Sequence, residues 1–196
     1  MFYSFDGIDG TGKSTQLRLF ADRLRAQGHD VVTCVDPGST LLGEAIRKIL
    51  LESKGTPISR NSEMLLFMAA RAQLVEQVIR PALDAGKTVV SDRFLLANVA
   101  YQGHAGGLDV ETLWRIGEVA TVGVKPNLTF VLDMPPAAAT GRIGRELDRM
   151  ESHGDEFRAR LRAGFLAEAA RSPKEIIVID AARQIEAVHH DILSHL

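Results

Sequence analysis

Apolar positions along the chain change period repeatedly. Phe2 to Phe5 is a short apolar run followed by a glycine-rich turn. From Lys13 to Gln27, Leu17, Phe20, Ala21 and Leu24 recur at helical spacing, which predicts an amphipathic helix, with Gly28 as its C-terminal stop. Val31 to Val35 predicts a second, buried strand, broken by Pro37 and Gly38. Helical spacing returns over Leu41 to Leu51. It returns again over Glu63 to Leu83, a stretch dense in Met, Ala and Leu that Gly86 ends. Thr88 to Ser91 predicts a third strand ending at Asp92-Arg93, and Val110 to Val122 a further helix. Leu128 to Leu132 predicts a fourth strand ending at Asp133. Pro135 and Pro136 suit the opening of a helix. Phe157 to Ala170 is helical, Ile176 to Ile179 predicts a fifth strand ending at Asp180, and Ile185 to Leu193 a last helix.

The strands are short, apolar and rich in β-branched residues, and helices alternate with them. That pattern predicts an α/β fold of three layers: a five-stranded parallel sheet with helices on both faces. The stretch from Arg142 to Gly154 is dense in charge and contains glycines, so it is expected to be a small lid, roughly residues 142–154, within one domain spanning 1–196.

Composition narrows the class. Hydrophobic residues make up 45% and charged residues 24% of 196, enough for a full core in one soluble domain. A net charge of -2 argues against non-specific nucleic-acid binding. No apolar stretch approaches the about 20 residues of a membrane span. The N-terminus lacks the basic start and long apolar middle of a signal peptide. Cys34 is the single cysteine and lies in an apolar run, so it is expected to be buried, in a reducing compartment. These features point to a complete cytoplasmic chain.

The segment Gly7-Ile8-Asp9-Gly10-Thr11-Gly12-Lys13-Ser14, followed by Thr15, fits G-x-x-x-x-G-K-[ST] in full. Glycines let the backbone curl so that successive amides point at phosphate oxygens, and the helix beginning at Lys13 adds its positive end. Lys13 then reaches the terminal phosphates of ATP, and Ser14 is placed to ligate Mg²⁺. The loop lies between a strand and a helix, as a P-loop requires.

Three further segments bear on the acceptor. Asp92-Arg93-Phe94 ends the third strand, where ligands of open parallel sheets bind. There Asp92 can reach a metal shell and Arg93 can clamp a phosphate; a strand-capping surface ion pair is the plainer alternative. Phe67 and Arg71 stand four apart and share a helix face. They suit stacking on a base and bonding its edge, or else a core ring and a snorkelling arginine. Arg142, Arg145 and Arg149 interleave with Asp148 and Glu151. They suit a lid over a triphosphate, or a solvated charged helix.

In combination these motifs resemble the thymidylate kinase family: the P-loop, Asp36-Pro37-Gly38, Leu66 to Gln73, Asp92 to Phe94, Ala100-Tyr101-Gln102-Gly103, Arg142 with Asp148-Arg149-Met150-Glu151, and Ile179-Asp180-Ala181. The resemblance covers nearly the whole chain. It implies transfer of the ATP γ-phosphate to dTMP, with Mg²⁺, in a homodimer. It implies that Arg47 and Arg93 hold the acceptor phosphate, that Phe67 stacks on thymine and Arg71 bonds its edge, and that Asn98, Tyr101 and Gln102 line the same pocket beside Asp36 and Pro37. Asp9 and Asp92 would serve the metal or sugar, and Arg142, Arg145 and Arg149 the lid. The turn at Val35-Asp36-Pro37-Gly38-Ser39 departs from the family's R-E-P-G-G, and Ala97-Asn98 from its Ser-Ser or Ser-Thr pair. Two rival readings therefore stay open: a deoxynucleoside kinase with Asp36 as base, and a nucleotide-binding switch without turnover. His189-His190 is expected to be solvated, Trp114 to pack between helices, Val110 to Val122 to suit a subunit contact, and Asp133 and Asp180 to act as strand-end caps.

Overall fold

The computed structural model describes residues 1–52, 57–144, 149–150 and 154–196. Five strands form one parallel sheet: β1 (Phe2–Asp6), β2 (Val31–Val35), β3 (Thr88–Asp92), β4 (Leu128–Asp133) and β5 (Ile176–Asp180), in the order β2-β3-β1-β4-β5. Around them lie α1 (Lys13–Ala26), α2 (Leu41–Glu52), α3 (Arg60–Leu74), α4 (Arg80–Asp84), α5 (Leu95–Asn98), α6 (Val110–Thr121), α7 (Pro136–Thr140), α8 (Asp155–Arg171) and α9 (Ile185–Leu193).

The period-two pleat of β1 divides the core. Tyr3 and Phe5 point to one side and pack with Phe20 and Leu24 of α1 and with Phe130 of β4. Phe2 points to the other and packs with Met64, Met68 and Leu74 of α3, Leu95 and Leu113. Register places Phe5 opposite Asp92 and Asp6 opposite Val131, so the C-terminal ends of β1, β3 and β4 share one edge. Phe5, Phe20 and Phe130 meet with ring centroids 5.3 to 5.7 Å apart and pack that end of β1 against α1 and β4.

Three expectations need correcting. β2 is an edge strand, so only Cys34 in it is buried and Thr33 is exposed. The predicted helix from Glu63 to Leu83 begins earlier and is interrupted. Ser59 caps it, its hydroxyl accepting from the Ser62 amide, so α3 starts at Arg60. Val75–Ile79 is a π-helical turn ahead of Pro81, whose ring removes a backbone donor that a continuous helix needs. Last, Leu95–Asn98 and the π-helical turn Val99–Ala105 form a helical segment that apolar periodicity missed. Every residue from Leu95 to Gly103 is buried, the polar Asn98 and Gln102 included, so the segment has no solvent-facing side to set an amphipathic period.

Candidate active site

The C-terminal ends of β1, β2, β3 and β5 open into a cleft of about 890 Å³. Its floor at one end is the loop between β1 and α1. Gly7 has φ +131, and a Cβ there would lie 2.4 Å from the Leu132 carbonyl oxygen; Gly10 has φ +87, with a Cβ 2.0 Å from the Ala139 oxygen. Only glycine fits either place. The α1 N-terminus has no side-chain cap and no acidic residue in its first turn, so its amides are available to an anion.

Lys13 is buried, and its ammonium donates to the Ile8 carbonyl at 2.9 Å and to Asp9 Oδ1 at 3.4 Å. Burial and the nearby Arg93 guanidinium push its pKa down, against the pull of Asp9. The Thr11 hydroxyl donates to Ile8 O at 2.9 Å and braces the loop. Ser14 Oγ donates to Asp92 Oδ2 at 2.8 Å across the cleft mouth. Ser14 and Thr15 both line the cleft.

Arg93 sits at φ 69, a left-handed conformation uncommon for a residue with a side chain, and Ser91 Oγ braces it by donating to its carbonyl at 2.6 Å. The guanidinium bonds Asp9, the Gly7 carbonyl at 3.3 Å and the Tyr101 hydroxyl at 3.2 Å, and lies 5.0 Å over the Tyr101 ring. Tyr101 in turn donates to Asp9 Oδ2 at 2.8 Å. Burial raises the Asp9 pKa, but Arg93 and Lys13 together outweigh it and hold the carboxyl well below the usual range. The pairing of Arg93 is with Asp9, across the strand ends, and not with its neighbour Asp92.

At the far end the cleft is lined by Phe67, Arg71, Asn98, Gln102 and Met150. Arg71 is 1% exposed, which rules out the snorkelling alternative. Its Nε donates to Asp36 Oδ2 at 2.6 Å, Nη1 to Asn98 Oδ1 at 2.9 Å, and Nη2 to the Phe94 carbonyl at 3.2 Å. Phe67 lines the cleft and also packs against Ile46, Leu50 and Ala70. Arg47 lines the same wall, donating to the Pro37 carbonyl at 2.8 Å beside the cis Asp36-Pro37 bond. Asp36 is fully buried; burial raises its pKa, with Arg71 opposing, and its Oδ1 has no partner.

The three arginines expected in a lid divide. Arg142 lines the cleft and donates to the Ala181 carbonyl at 3.2 Å. Arg149 donates to the Leu50 carbonyl at 2.6 Å and pairs with Glu63. Arg145, Asp148 and Glu151 lie outside the described residues.

A family model described as thymidylate kinase matches residues 5–192. The chain belongs to the thymidylate kinase family. It is 46% identical over 189 residues to the thymidylate kinase of Rhodopirellula baltica, covering 96% of this chain and 77% of that one. With the thymidylate kinase of Symbiobacterium thermophilum it shares 45% over 193 residues, 98% of this chain and 90% of the relative. The crystal structure of thymidylate kinase from Ehrlichia chaffeensis superposes with a TM-score of 0.82 at 32% identity, covering 99% and 96% of the two chains. The family makes this chain a kinase, and its parallel five-stranded sheet and P-loop match that assignment.

One part of the thymidylate kinase cleft, and one residue bonded to its lining, escaped sequence reasoning. The loop after the Ile179-Asp180-Ala181 motif, residues 182–184, lines the phosphate-loop end, and Arg183 there pairs with Asp180 and Asp191. Its position beyond a strand's C-terminal end was the available signal. In the sequence Glu63 stands out only as the first residue of a predicted helix. Asp180 caps its turn by accepting from the Ala182 amide at 3.0 Å, whereas Asp133 forms a paired salt bridge with Arg162 at 2.7 and 2.8 Å. Trp114 packs on both core clusters, and His190 is exposed while His189 is partly covered. Among the described residues no cluster of His, Cys, Asp or Glu could hold a metal by itself, and no helix is long and apolar enough to cross a membrane.

Proposed function

We propose that this cleft transfers the γ-phosphate of ATP to dTMP, giving ADP and dTDP. The observation that carries it is the meeting, in one cleft, of a P-loop and a pocket built from Phe67, Arg71, Asn98 and Gln102, with Arg93 between them. Residues 7–15 hold the ATP phosphates through loop amides, Lys13 and Ser14. Arg93 has five N–H donors, of which three are bonded within the protein. The remaining two serve the acceptor phosphate, together with Arg47. Phe67 stacks on the base and Arg71 bonds its edge, with Asn98, Tyr101 and Gln102 around it and Asp36 and Pro37 behind. Asp9, held ionised, locks Arg93 and faces the sugar side.

The acceptor phosphate has a second pKa of about 6 and is mostly a dianion at neutral pH, so no general base is needed. Positioning and electrostatic stabilisation by Lys13, Arg93 and the lid arginines 142, 145 and 149 do the work. The Ser14 hydroxyl and the Asp92 carboxylate, 2.8 Å apart, are oxygen donors that fit a hard divalent cation such as Mg²⁺. Bound with ATP, Mg²⁺ neutralises charge on the β- and γ-phosphate oxygens.

Residues 1–196 form one kinase domain with a lid at about 142–154. A homodimer fits the exposed apolar residues Leu42 and Ile49 on α2, Leu65 on α3 and Val119 on α6, three helices that pack in succession. A cytoplasmic location fits a single, buried cysteine.

The test is a coupled ADP-release assay with ATP and Mg²⁺ against dTMP, other monophosphates and thymidine. Turnover on dTMP well above the rest is expected, with loss on addition of EDTA. Turnover on thymidine but not dTMP would overturn this reading and transfer the catalytic role to Asp36.

A further inference from the structure

Six side chains form one hydrogen-bonded line, of which Gln102, Asn98, Arg71 and Asp36 line the cleft and Arg149 and Glu63 continue it from Gln102. Arg149 pairs with Glu63 Oε2, and Gln102 Nε2 donates to Glu63 Oε1 at 2.9 Å. Asn98 Nδ2 donates to Gln102 Oε1 at 2.6 Å, Arg71 Nη1 to Asn98 Oδ1 at 2.9 Å, and Arg71 Nε to Asp36 at 2.6 Å. Asn98 and Gln102 are 2% and 3% exposed, so neither has water as an alternative partner.

The direction of this line has a single source at each end. A carboxylate only accepts and a guanidinium only donates. Glu63 therefore compels Gln102 to present its NH₂ group. Gln102 then has only its oxygen for Asn98, which must donate its own NH₂ and turn its oxygen to Arg71. That oxygen occupies Arg71 Nη1, whose other hydrogen meets the Met68 sulfur, and Nη2 gives one hydrogen to Phe94 O. With Nε committed to Asp36, four of the five donors are used: Nε, two on Nη1 and one on Nη2. The guanidinium is held with one N–H, on Nη2, left for a ligand.

We propose that Glu63 is a positioning residue that sets base specificity: by orienting the Gln102 and Asn98 amides it holds Arg71 as a donor to a 4-keto pyrimidine and against a 4-amino pyrimidine. This rests on the reading of this pocket as the site of the acceptor's base. A 4-keto oxygen accepts the remaining N–H. A 4-amino group brings a donor against a donor and leaves both buried and unmatched. Glu63→Gln breaks the source of direction. Arg149 keeps the new amide oxygen, so its NH₂ faces Gln102 and turns that amide over. Asn98 then meets NH₂ groups on both sides and can satisfy only one, which releases Arg71.

The experiment measures kcat/KM for dTMP, dUMP and dCMP in wild type, E63Q, E63D, N98A and the E63Q/N98A double variant. Wild type is expected to favour dTMP and dUMP over dCMP. In E63Q the dTMP to dCMP ratio falls on the order of tenfold or more. E63D, still acceptor-only, keeps the ratio within about threefold of wild type. In the N98A background E63Q changes the ratio by less than about twofold, because its route to Arg71 is already cut. An unchanged ratio in E63Q, or an equal effect in the N98A background, would overturn the proposal. If E63Q fails to fold, Gln102→Met cuts the same line from the other side, and an unchanged ratio there overturns it equally. Wild type inactive on dTMP would instead overturn the functional reading beneath it.

Discussion

Replacing Arg71 with methionine isolates the buried pair beneath the proposed base pocket. The side chains of Arg71 and Asp36 are 2% and 0% exposed, and methionine preserves most of the volume. The change therefore removes charge and donors more than packing. Asp36 loses its only partner, since its Oδ1 already has none, and Asn98 Oδ1 and the Phe94 carbonyl each lose a donor. Removing one member of a buried pair costs about 3–5 kcal/mol. For a chain of this size each kcal/mol moves Tm by roughly 2–4 °C, so a fall of roughly 6–20 °C is expected. Burial already raises the Asp36 pKa, so without Arg71 the carboxyl takes up a proton more readily, and the deficit shrinks as pH falls. Urea unfolding of wild type, Arg71→Met and Arg71→Met/Asp36→Leu at neutral and mildly acidic pH provides the readout. The double variant is expected to recover most of the loss, because an apolar pair can replace a buried ion pair. A single variant within about 1 kcal/mol of wild type, or a double variant no more stable than the single, would refute the reasoning.

Two further outcomes follow from the loop and the strand beneath it. Asp6 is fully buried, its Oδ1 has no partner, and burial raises its pKa from 3.8 to about 6. The folded state thus holds this proton more tightly than the unfolded chain, and the stability it contributes at low pH is lost as pH rises through about 6. Wild type should lose about 2 kcal/mol relative to Asp6→Asn between about pH 4.5 and pH 7.5; parallel stability curves by denaturant titration would disprove it. Gly10→Ala places a methyl 2.0 Å from the Ala139 oxygen at φ +87, so the loop must shift. ATP affinity by calorimetry should fall by about 2 kcal/mol or more, and unimpaired binding would count against the loop's role.

Much of the molecule was legible as pattern. β1, α1, β3, β4, β5 and α9 follow from apolar period and from glycine and proline punctuation. The phosphate loop follows from its own spacing, since backbone curvature there depends on local residue types. The helical segment Leu95–Ala105 was not legible, because with its polar Asn98 and Gln102 buried alongside its apolar residues it has no solvent-facing side to set a period. The exposure of β2 was not legible either, since strand order is a property of the whole sheet.

The sequence by itself therefore determined the phosphate loop, the alternation of strands and helices, and the family that its motifs specify. Each depends on residues close together along the chain, or on motifs in fixed order. Only the tertiary structure decided partnerships. It joined Arg93 to Asp9 rather than to Asp92, buried Arg71 on Asp36, and set Glu63 at the head of a line that passes through Gln102 and Asn98. Those contacts span 35 to 84 positions of chain in the first two cases. No local period carries such information. It arises when burial leaves each polar group a single partner that can satisfy it.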